Sequence, residues 1–458
     1  MSERSFDVIV IGAGPAGEAC AGRLAAGGLR VALVERELVG GECAFWACMP
    51  SKALLRPGEL MAEARRVPGV AEVVGPELDV AAVLARRDQV IHDLDDSGQL
   101  SWLQDRGIEL VREHGRLAGE RRVSVGDEVL VAAKAVVVAT GTAALVPPID
   151  GLAAARPWTS REVTTAKAVP SRLAILGGGV VGVEMAQAWR SLGAQVTLLE
   201  ALDRLIPREE AFAGDLVAES LREAGVDVRL GSMVTEVRRA ADGEVSIGLE
   251  QGPAVTVDEL VVAIGRTPHT DDLGVESVGL EPGEHIEVDD SLRAIGVEGD
   301  WLYAVGDVNG RTLLTHMGKY QSRVAATLIL GGDSEAIEDG ALSPRVIFTD
   351  PPVAAVGHTA ESARAAGLNV RTVDRNTSGN AAASFYGRNS AGITRLVVDE
   401  DLGLIVGATF TGFEVADFLH AATVAVVGQV PIERLWNAVP SFPTRSEVWL
   451  DLLEKYEA

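Results

Sequence analysis

The sequence predicts an α/β protein made of two strand-helix-strand nucleotide-binding units followed by a smaller α+β domain. Three observations carry that expectation. Phe6 to Glu35 (FDVIVIGAGPAGEACAGRLAAGGLRVALVE) and Leu173 to Glu200 (LAILGGGVVGVEMAQAWRSLGAQVTLLE) match element by element. Gly12 precedes Glu35 by the same distance as Gly177 precedes Glu200, so one βαβ geometry serves both copies. From residue 343 onward there is no nucleotide motif, only short apolar segments and one helical stretch. A length of 458 residues accommodates about three domains at roughly 150 residues each.

In the first unit, Gly12, Gly14 and Gly17 follow the strand VIVI and open a helix, and Glu35 closes the second strand. Glycines there allow a tight turn and the close approach of a pyrophosphate to a helix N-terminus, while the acid accepts ribose hydroxyls. Gly177, Gly179, Gly182 and Glu200 repeat the arrangement. A carboxylate at Glu200 repels a 2′-phosphate and favours NADH, although Arg204, four residues on, leaves NADPH possible. Each unit later reaches an apolar strand ending in a turn, Ala135 to Pro147 and Glu259 to Pro268, which read as matching domain ends. Trp301 to Asp307 (WLYAVGD) then opens a helical pattern through Leu330, and Gly331 to Leu342 is a polar linker. In the last domain, Arg345 to Val356, Gly392 to Val398 and Leu404 to Phe410 read as strands and Phe413 to Val427 as a helix.

Composition narrows the function classes. The formal net charge is −25, and only five of the 41 cationic residues are lysines, so no basic stripe exists to neutralise nucleic-acid phosphates. Nucleic acid and anionic membranes are excluded as expected partners. No apolar run reaches about 18 residues, and the first strand meets its glycine turn without a basic leader, so neither a membrane span nor a signal is expected. Three cysteines, Cys20, Cys43 and Cys48, are too few for a secreted disulfide scaffold, which makes a cytoplasmic protein the expectation.

Chemistry concentrates in GGECAFWACMPSK, Gly40 to Lys52. On one continuous helix Cys43 and Cys48 would lie about 140° apart, but at a helix start two sulfurs can still meet. The residues alone leave a redox pair, metal ligation and two inert thiols open. No further Cys or His pair offers zinc spacing, which makes the metal reading the weakest, and Cys20 reads as core.

Taken in order, GAGPAG, the Cys43/Cys48 pair with Pro50, Ser51 and Lys52, ATGT at Ala139 to Thr142, GGGVVGVE, AIGRTP, YAVGD and FTDPPVAAVG at Phe348 to Gly357 resemble the class I pyridine nucleotide-disulfide oxidoreductases, the group of dihydrolipoamide dehydrogenase, glutathione reductase and mercuric reductase. The resemblance spans essentially the whole chain. It implies two Rossmann-like domains, one for FAD and one for NAD, plus a C-terminal α+β dimerisation domain. The FAD domain would be discontinuous, 1–150 and 271–342, with the NAD(P) domain 151–270 inserted and the interface domain at 343–458. It assigns FAD to Gly12, Gly14, Gly17, Glu35 and Asp307, with Thr140 and Gly141 of ATGT beside them. The nicotinamide nucleotide goes to Gly177, Gly179, Gly182 and Glu200, and Arg266 of AIGRTP joins the cofactor-binding set. Cys48 resembles the thiol against the flavin and Cys43 the outer thiol that exchanges with substrate. Lys52 resembles the lysine near the flavin's reactive nitrogen, paired with Glu184, a charge that would stabilise reduced flavin.

The chain departs from the family pattern at SFPTRSE, Ser441 to Glu447, where the expected histidine position is Phe442. The lost imidazole would have served as general base, a role worth typically about 10² to 10⁴ in rate. Glu447 then loses its usual partner and is expected to be solvated. Phe45 and Trp46 between the cysteines either wall the exchange thiol or belong to the core. The resemblance therefore implies a homodimeric FAD enzyme that oxidises NADH and reduces a small-molecule disulfide or related acceptor, each site borrowing the partner's C-terminal segment. The alternative is a quinone or dye reductase in which electrons leave directly from flavin. No resident metal is expected.

Overall fold

The structure, a computed structural model, describes residues 2–336, 339–387 and 392–458. Positions 337 and 338 of the expected linker lie outside the described residues. The chain forms two compact units. The first comprises Met1–Pro50, Asp88–Leu145 and Gly265–Gly340, and the second Ser51–Arg87, Val146–Ile264 and Ala341–Ala458.

In the first unit a seven-stranded sheet is built around Ser2–Ile11. That strand lies parallel to Val31–Val34 on one side and Glu128–Val138 on the other, and Glu109–Val111 extends the sheet beyond Val31–Val34. The long strand Glu128–Val138 serves two neighbours, the antiparallel Arg122–Val125 along its first half and the parallel Leu302–Ala304 along its second. Apolar residues of the sheet's parallel strands, among them Ile9, Leu33 and Val136, are fully buried, as parallel strands covered on both faces require. The helix Pro15–Ala26, with proline at its first turn and Gly14 as N-cap, packs against Thr315–Ile329.

The second unit repeats this design. Asp227–Arg229, Gln195–Leu199, Arg172–Leu176 and Glu259–Val262 form a four-stranded parallel sheet in the order of their counterparts in the first unit. The agreement extends to single bonds: Gly12 N–H donates to Val34 O and Gly177 N–H to Leu199 O, each at 2.8 Å. The same unit holds a five-stranded antiparallel sheet of Arg345–Ile347, Val353–Gly357, Leu404–Thr411, Ile393–Asp399 and Val370–Asn376. Phe410 from this sheet meets Phe418 of the helix Val415–Val427 edge-on at 5.0 Å. Fold class therefore agrees with the sequence expectation. The strand Val370–Asn376 escapes sequence reading because only one of its seven residues is fully buried, as befits a sheet edge.

Two local expectations are corrected. Ala135 to Pro147 and Glu259 to Pro268 are more than equivalent ends. Their turns pair with each other, Thr142–Ala144 running antiparallel to Arg266–Pro268 within the first unit. The cysteines do not share one helix. Gly41–Phe45 ends at Trp46, and Cys48 starts a separate 19-residue helix, Cys48–Arg66.

Candidate active site

The break at Trp46 decides the geometry of the thiols. Because each cysteine occupies its own helix, the angular separation of a single helix no longer applies, and the Cys43 and Cys48 thiols hydrogen-bond each other. That bond, together with burial, pushes the Cys43 thiol up, while the Thr315 hydroxyl and the charge of Lys319 pull it down. Thr315, the first residue of Thr315–Ile329, donates to Cys43 Sγ at 3.2 Å and lies 3.4 Å from Cys48 Sγ. Its neighbour His316 is exposed. Cys20 is fully buried, and burial pushes its thiol up to about 12, the environment of an inert core cysteine. Phe45 is also core at 1% exposure, whereas Trp46 is half-buried with its ring 5.8 Å from that of Phe45.

The glycine turns fit dinucleotides for reasons visible atom by atom. A Cβ on Gly12 would lie 2.4 Å from Ala139 O and one on Gly17 1.9 Å from Gly12 O, so these two close the turn against the strand. A Cβ on Gly14 would meet nothing within 4 Å, and its helix has no side-chain cap, which leaves open space before free N–H groups. Gly177, Gly182 and Gly179 repeat these contacts and this opening in the second unit. Each closing acid is held by the same two bonds: Glu35 accepts from Ala13 N–H and Glu37 N–H, both 2.7 Å, and Glu200 from Gly178 N–H at 2.5 Å and Leu202 N–H at 2.8 Å. Both carboxylates are thereby fixed in orientation, with lone pairs left to accept ribose hydroxyls. In the first unit the turn and its acid line a cleft with Arg36, Glu113, His114 and Thr140.

Asp307 opens a short 3₁₀ turn and accepts from the Thr142 hydroxyl at 3.1 Å, with Arg266 Nε 4.0 Å away. Burial pushes its carboxyl up, opposed by Arg266 and Thr142. Arg266 in turn donates to Thr142 Oγ1 and O at 2.5 and 2.6 Å, and Thr140 Oγ1 donates to His269 O at 3.1 Å, while His269 N–H donates to Gly141 O. The paired turns thus hold Asp307 in place. Gly14, Glu35 and this carboxylate fit FAD in the first unit, and Gly179 with Glu200 fits a nicotinamide nucleotide in the second.

Lys52 and Glu184 do meet, with Nζ 2.6 Å from Oε2. Glu184 is 3% exposed, and its second oxygen accepts from Phe348 N–H at 3.0 Å. The Phe348 ring carries the Lys52 ammonium 4.7 Å from its centroid. Arg204 donates to Pro207 O at 2.9 Å, with Glu361 3.6 Å away.

At the family's base position Phe442 is 76% exposed. Glu447 is not solvated as expected: its Oε2 is buried and has no hydrogen-bond partner among the described residues. Sequence reasoning missed Thr315 and Thr142. The one signal was for Thr142, which ends the ATGT motif. No cluster of three or more metal-ligating side chains exists among the described residues, and no helix among them is long and apolar enough to cross a membrane.

Comparison with known proteins agrees with this geometry. Residues 6–327 match the family model described as pyridine nucleotide-disulphide oxidoreductase, and residues 343–452 match that family's dimerisation domain. A dihydrolipoyl dehydrogenase of Thermus scotoductus is 32% identical over 98% of this chain and 97% of its own length. A mercuric reductase of Lysinibacillus sphaericus is 27% identical over 98% of this chain and 82% of its own. Among solved structures, the HOCl-induced flavoprotein disulfide reductase RclA of Escherichia coli, as a Cu(II) complex, superposes with a TM-score of 0.86 at 26% identity, covering 98% of this chain and 99% of that one.

Proposed function

The chain belongs to the pyridine nucleotide-disulphide oxidoreductases, FAD-dependent enzymes with NAD(P)H as electron donor, and on that premise we propose that it uses NADH to reduce a small disulfide or related thiol-reactive acceptor at Cys43 and Cys48. The observation that carries this reading is the mutual hydrogen bond of two half-buried thiols on separate helix starts, in contrast to the sealed Cys20. FAD, when bound, supplies the two-electron relay between the nucleotide and the thiols. Gly12, Gly14, Gly17, Glu35, Thr140, Gly141 and Asp307 hold it, with Arg266 fixing Asp307. Lys52 provides a cation paired with Glu184. Gly177, Gly179, Gly182 and Glu200 hold the nicotinamide nucleotide. The fixed Glu200 carboxylate supports NADH over NADPH. In the homodimer Phe442 and Glu447 face the thiols of the partner subunit, where no imidazole is present to move the proton.

Direct quinone reduction from flavin is the second reading, favoured by the absence of that imidazole. One set of steady-state assays separates the two, with lipoamide, glutathione disulfide, a quinone, and Hg(II) and Cu(II) as acceptors and both nucleotides as donors. Cys43→Ser with Cys48→Ser abolishes disulfide turnover and spares the quinone, NADH gives the higher kcat/KM, and Phe442→His raises disulfide turnover about ten- to a hundredfold. Disulfide turnover that survives loss of both thiols overturns the thiol reading in favour of flavin as the electron exit.

A further inference from the structure

We propose that Gln321, held by Asp339, is the positioning residue that sets the Asp307 turn for FAD, and that this setting depends on the direction of its side-chain amide. The proposal rests on the reading of Asp307 as a flavin-holding carboxylate and deepens it. Asp307 opens the three-residue turn Asp307–Asn309, which lies between Gly306 and Gly310 at φ of 78° and 72°. These two glycines have no side chains with which to anchor the ends of the turn. A Cβ on Gly306 would lie 3.1 Å from that of Ala16, and one on Gly318 3.3 Å from Gly306 Cα, so the start of the turn runs close against the helices Pro15–Ala26 and Thr315–Ile329. Its angle is left to hydrogen bonds.

Gln321, a fully buried residue of Thr315–Ile329, supplies two of them. Its Oε1 accepts from Gly306 N–H at 2.7 Å and from Asn309 Nδ2 at 3.0 Å, one bond at each end of the turn. Asn309 Nδ2 also donates to Ala304 O at 3.1 Å, which ties the turn to the strand Leu302–Ala304. A backbone N–H can only donate, so Gly306 fixes which end of the Gln321 amide is oxygen. The nitrogen end donates to Asp339 Oδ2 at 2.7 Å. Asp339 is also fully buried, and its other oxygen lies 2.9 Å from Arg311 Nη2, which reaches Asp290 at 2.9 Å and Ala336 O at 3.0 Å. Cation, carboxylate, amide and backbone N–H thus form one chain of bonds with a single direction.

That direction can be reversed at one link. In Asp339→Asn the introduced side chain has one oxygen for two donors, Arg311 and the Gln321 nitrogen, so its own NH₂ must face one of them, and Gln321 loses its anchor. Adding Gln321→Glu gives the introduced NH₂ a carboxylate to donate to and leaves the asparagine oxygen for Arg311. The new carboxylate still accepts from Gly306 N–H and Asn309. The pair keeps its single negative charge, and only the polarity of the bond between its members changes.

The test measures the dissociation constant of FAD by fluorescence titration of the full-length apoprotein at neutral pH. Asp339→Asn binds FAD about tenfold more weakly, and Asp339→Asn with Gln321→Glu returns to within about threefold of the wild-type affinity. A network that served stability alone would lower the melting temperature of the apoprotein and leave FAD affinity where it was. Wild-type affinity in Asp339→Asn therefore overturns the proposal, and so does a double variant as weak as the single one. If Asp339→Asn gives no soluble protein, Gln321→Met, which removes both ends of the amide, takes its place, and wild-type affinity there overturns the proposal equally. Asp307→Asn measured alongside separates the proposal from the reading beneath it. Unchanged affinity in that variant removes Asp307 as a flavin ligand and the proposal with it, whereas weaker binding there beside wild-type affinity in the network variants overturns the proposal alone.

Discussion

Glu18 occupies the first turn of the helix Pro15–Ala26, where burial pushes its carboxyl up to about 7, with Lys319 opposing and Glu35 reinforcing the shift. A carboxyl raised on folding favours the native state at low pH, and that contribution is fully present below about 4.5 and lost as pH rises through about 7. Glu18→Gln should therefore raise the melting temperature at pH 8 and leave it little changed at pH 4, an effect on the order of 2 kcal/mol. Melting curves at the two pH values check this, and an unchanged difference between them contradicts it. At this scale the sequence is legible only where a residue announces its chemistry. The cysteines and paired acids did, and the Lys52–Glu184 contact, between positions 132 apart, came through family resemblance alone. Thr315 was silent because a hydroxyl has no pattern until two sulfurs are placed beside it. Glu447 misled because burial of one oxygen is a tertiary property that its neighbours in sequence do not encode.

At the scale of elements, the three glycines of each turn have different physical duties, and substitution should separate them. A methyl at Gly14 enters empty space, so Gly14→Ala should fold with an unchanged circular dichroism spectrum but bind FAD at least about tenfold more weakly in a fluorescence titration, because the methyl occupies the pyrophosphate's approach. A methyl at Gly17 falls 1.9 Å from Gly12 O, so Gly17→Ala should yield little folded protein at all. Equal FAD affinity in Gly14→Ala and wild type would show that the open space is not where the cofactor approaches. Both βαβ units were readable because strand, glycine turn, helix and acid leave a fixed spacing in sequence. The end of the short helix at Trp46 was not, since nothing in CAFWAC breaks a helix by propensity. That end, rather than cysteine spacing, brings the thiols together.

For the whole molecule, residues 343–452 match a dimerisation domain, and the helix Val415–Val427 turns Leu419, Ala422 and Val426 into the core while leaving Val424 and Val427 at 55% and 40% exposure. An apolar outer face of this kind suits a second copy of the chain. Val424→Arg should shift the protein from dimer to monomer in light scattering and reduce disulfide turnover while sparing small dyes. A dimer of unchanged stability would place the interface elsewhere. Domain order was legible from the repeat, but the pairing of Thr142–Ala144 with Arg266–Pro268 was not, because antiparallel partners so far apart in sequence share no periodicity. That ribbon has an entropic consequence. Leu145 N–H donates to Gly265 O at 3.0 Å, so the chain leaves for 146–264 and returns at nearly one point. Closing a free loop of that length costs on the order of 4 kcal/mol, and the ribbon with its Arg266 to Thr142 bonds offsets part of it locally. Replacing 146–264 by a two-residue turn would therefore convert the ribbon into a hairpin without moving either strand, as is expected where a long segment leaves and re-enters a unit at one point.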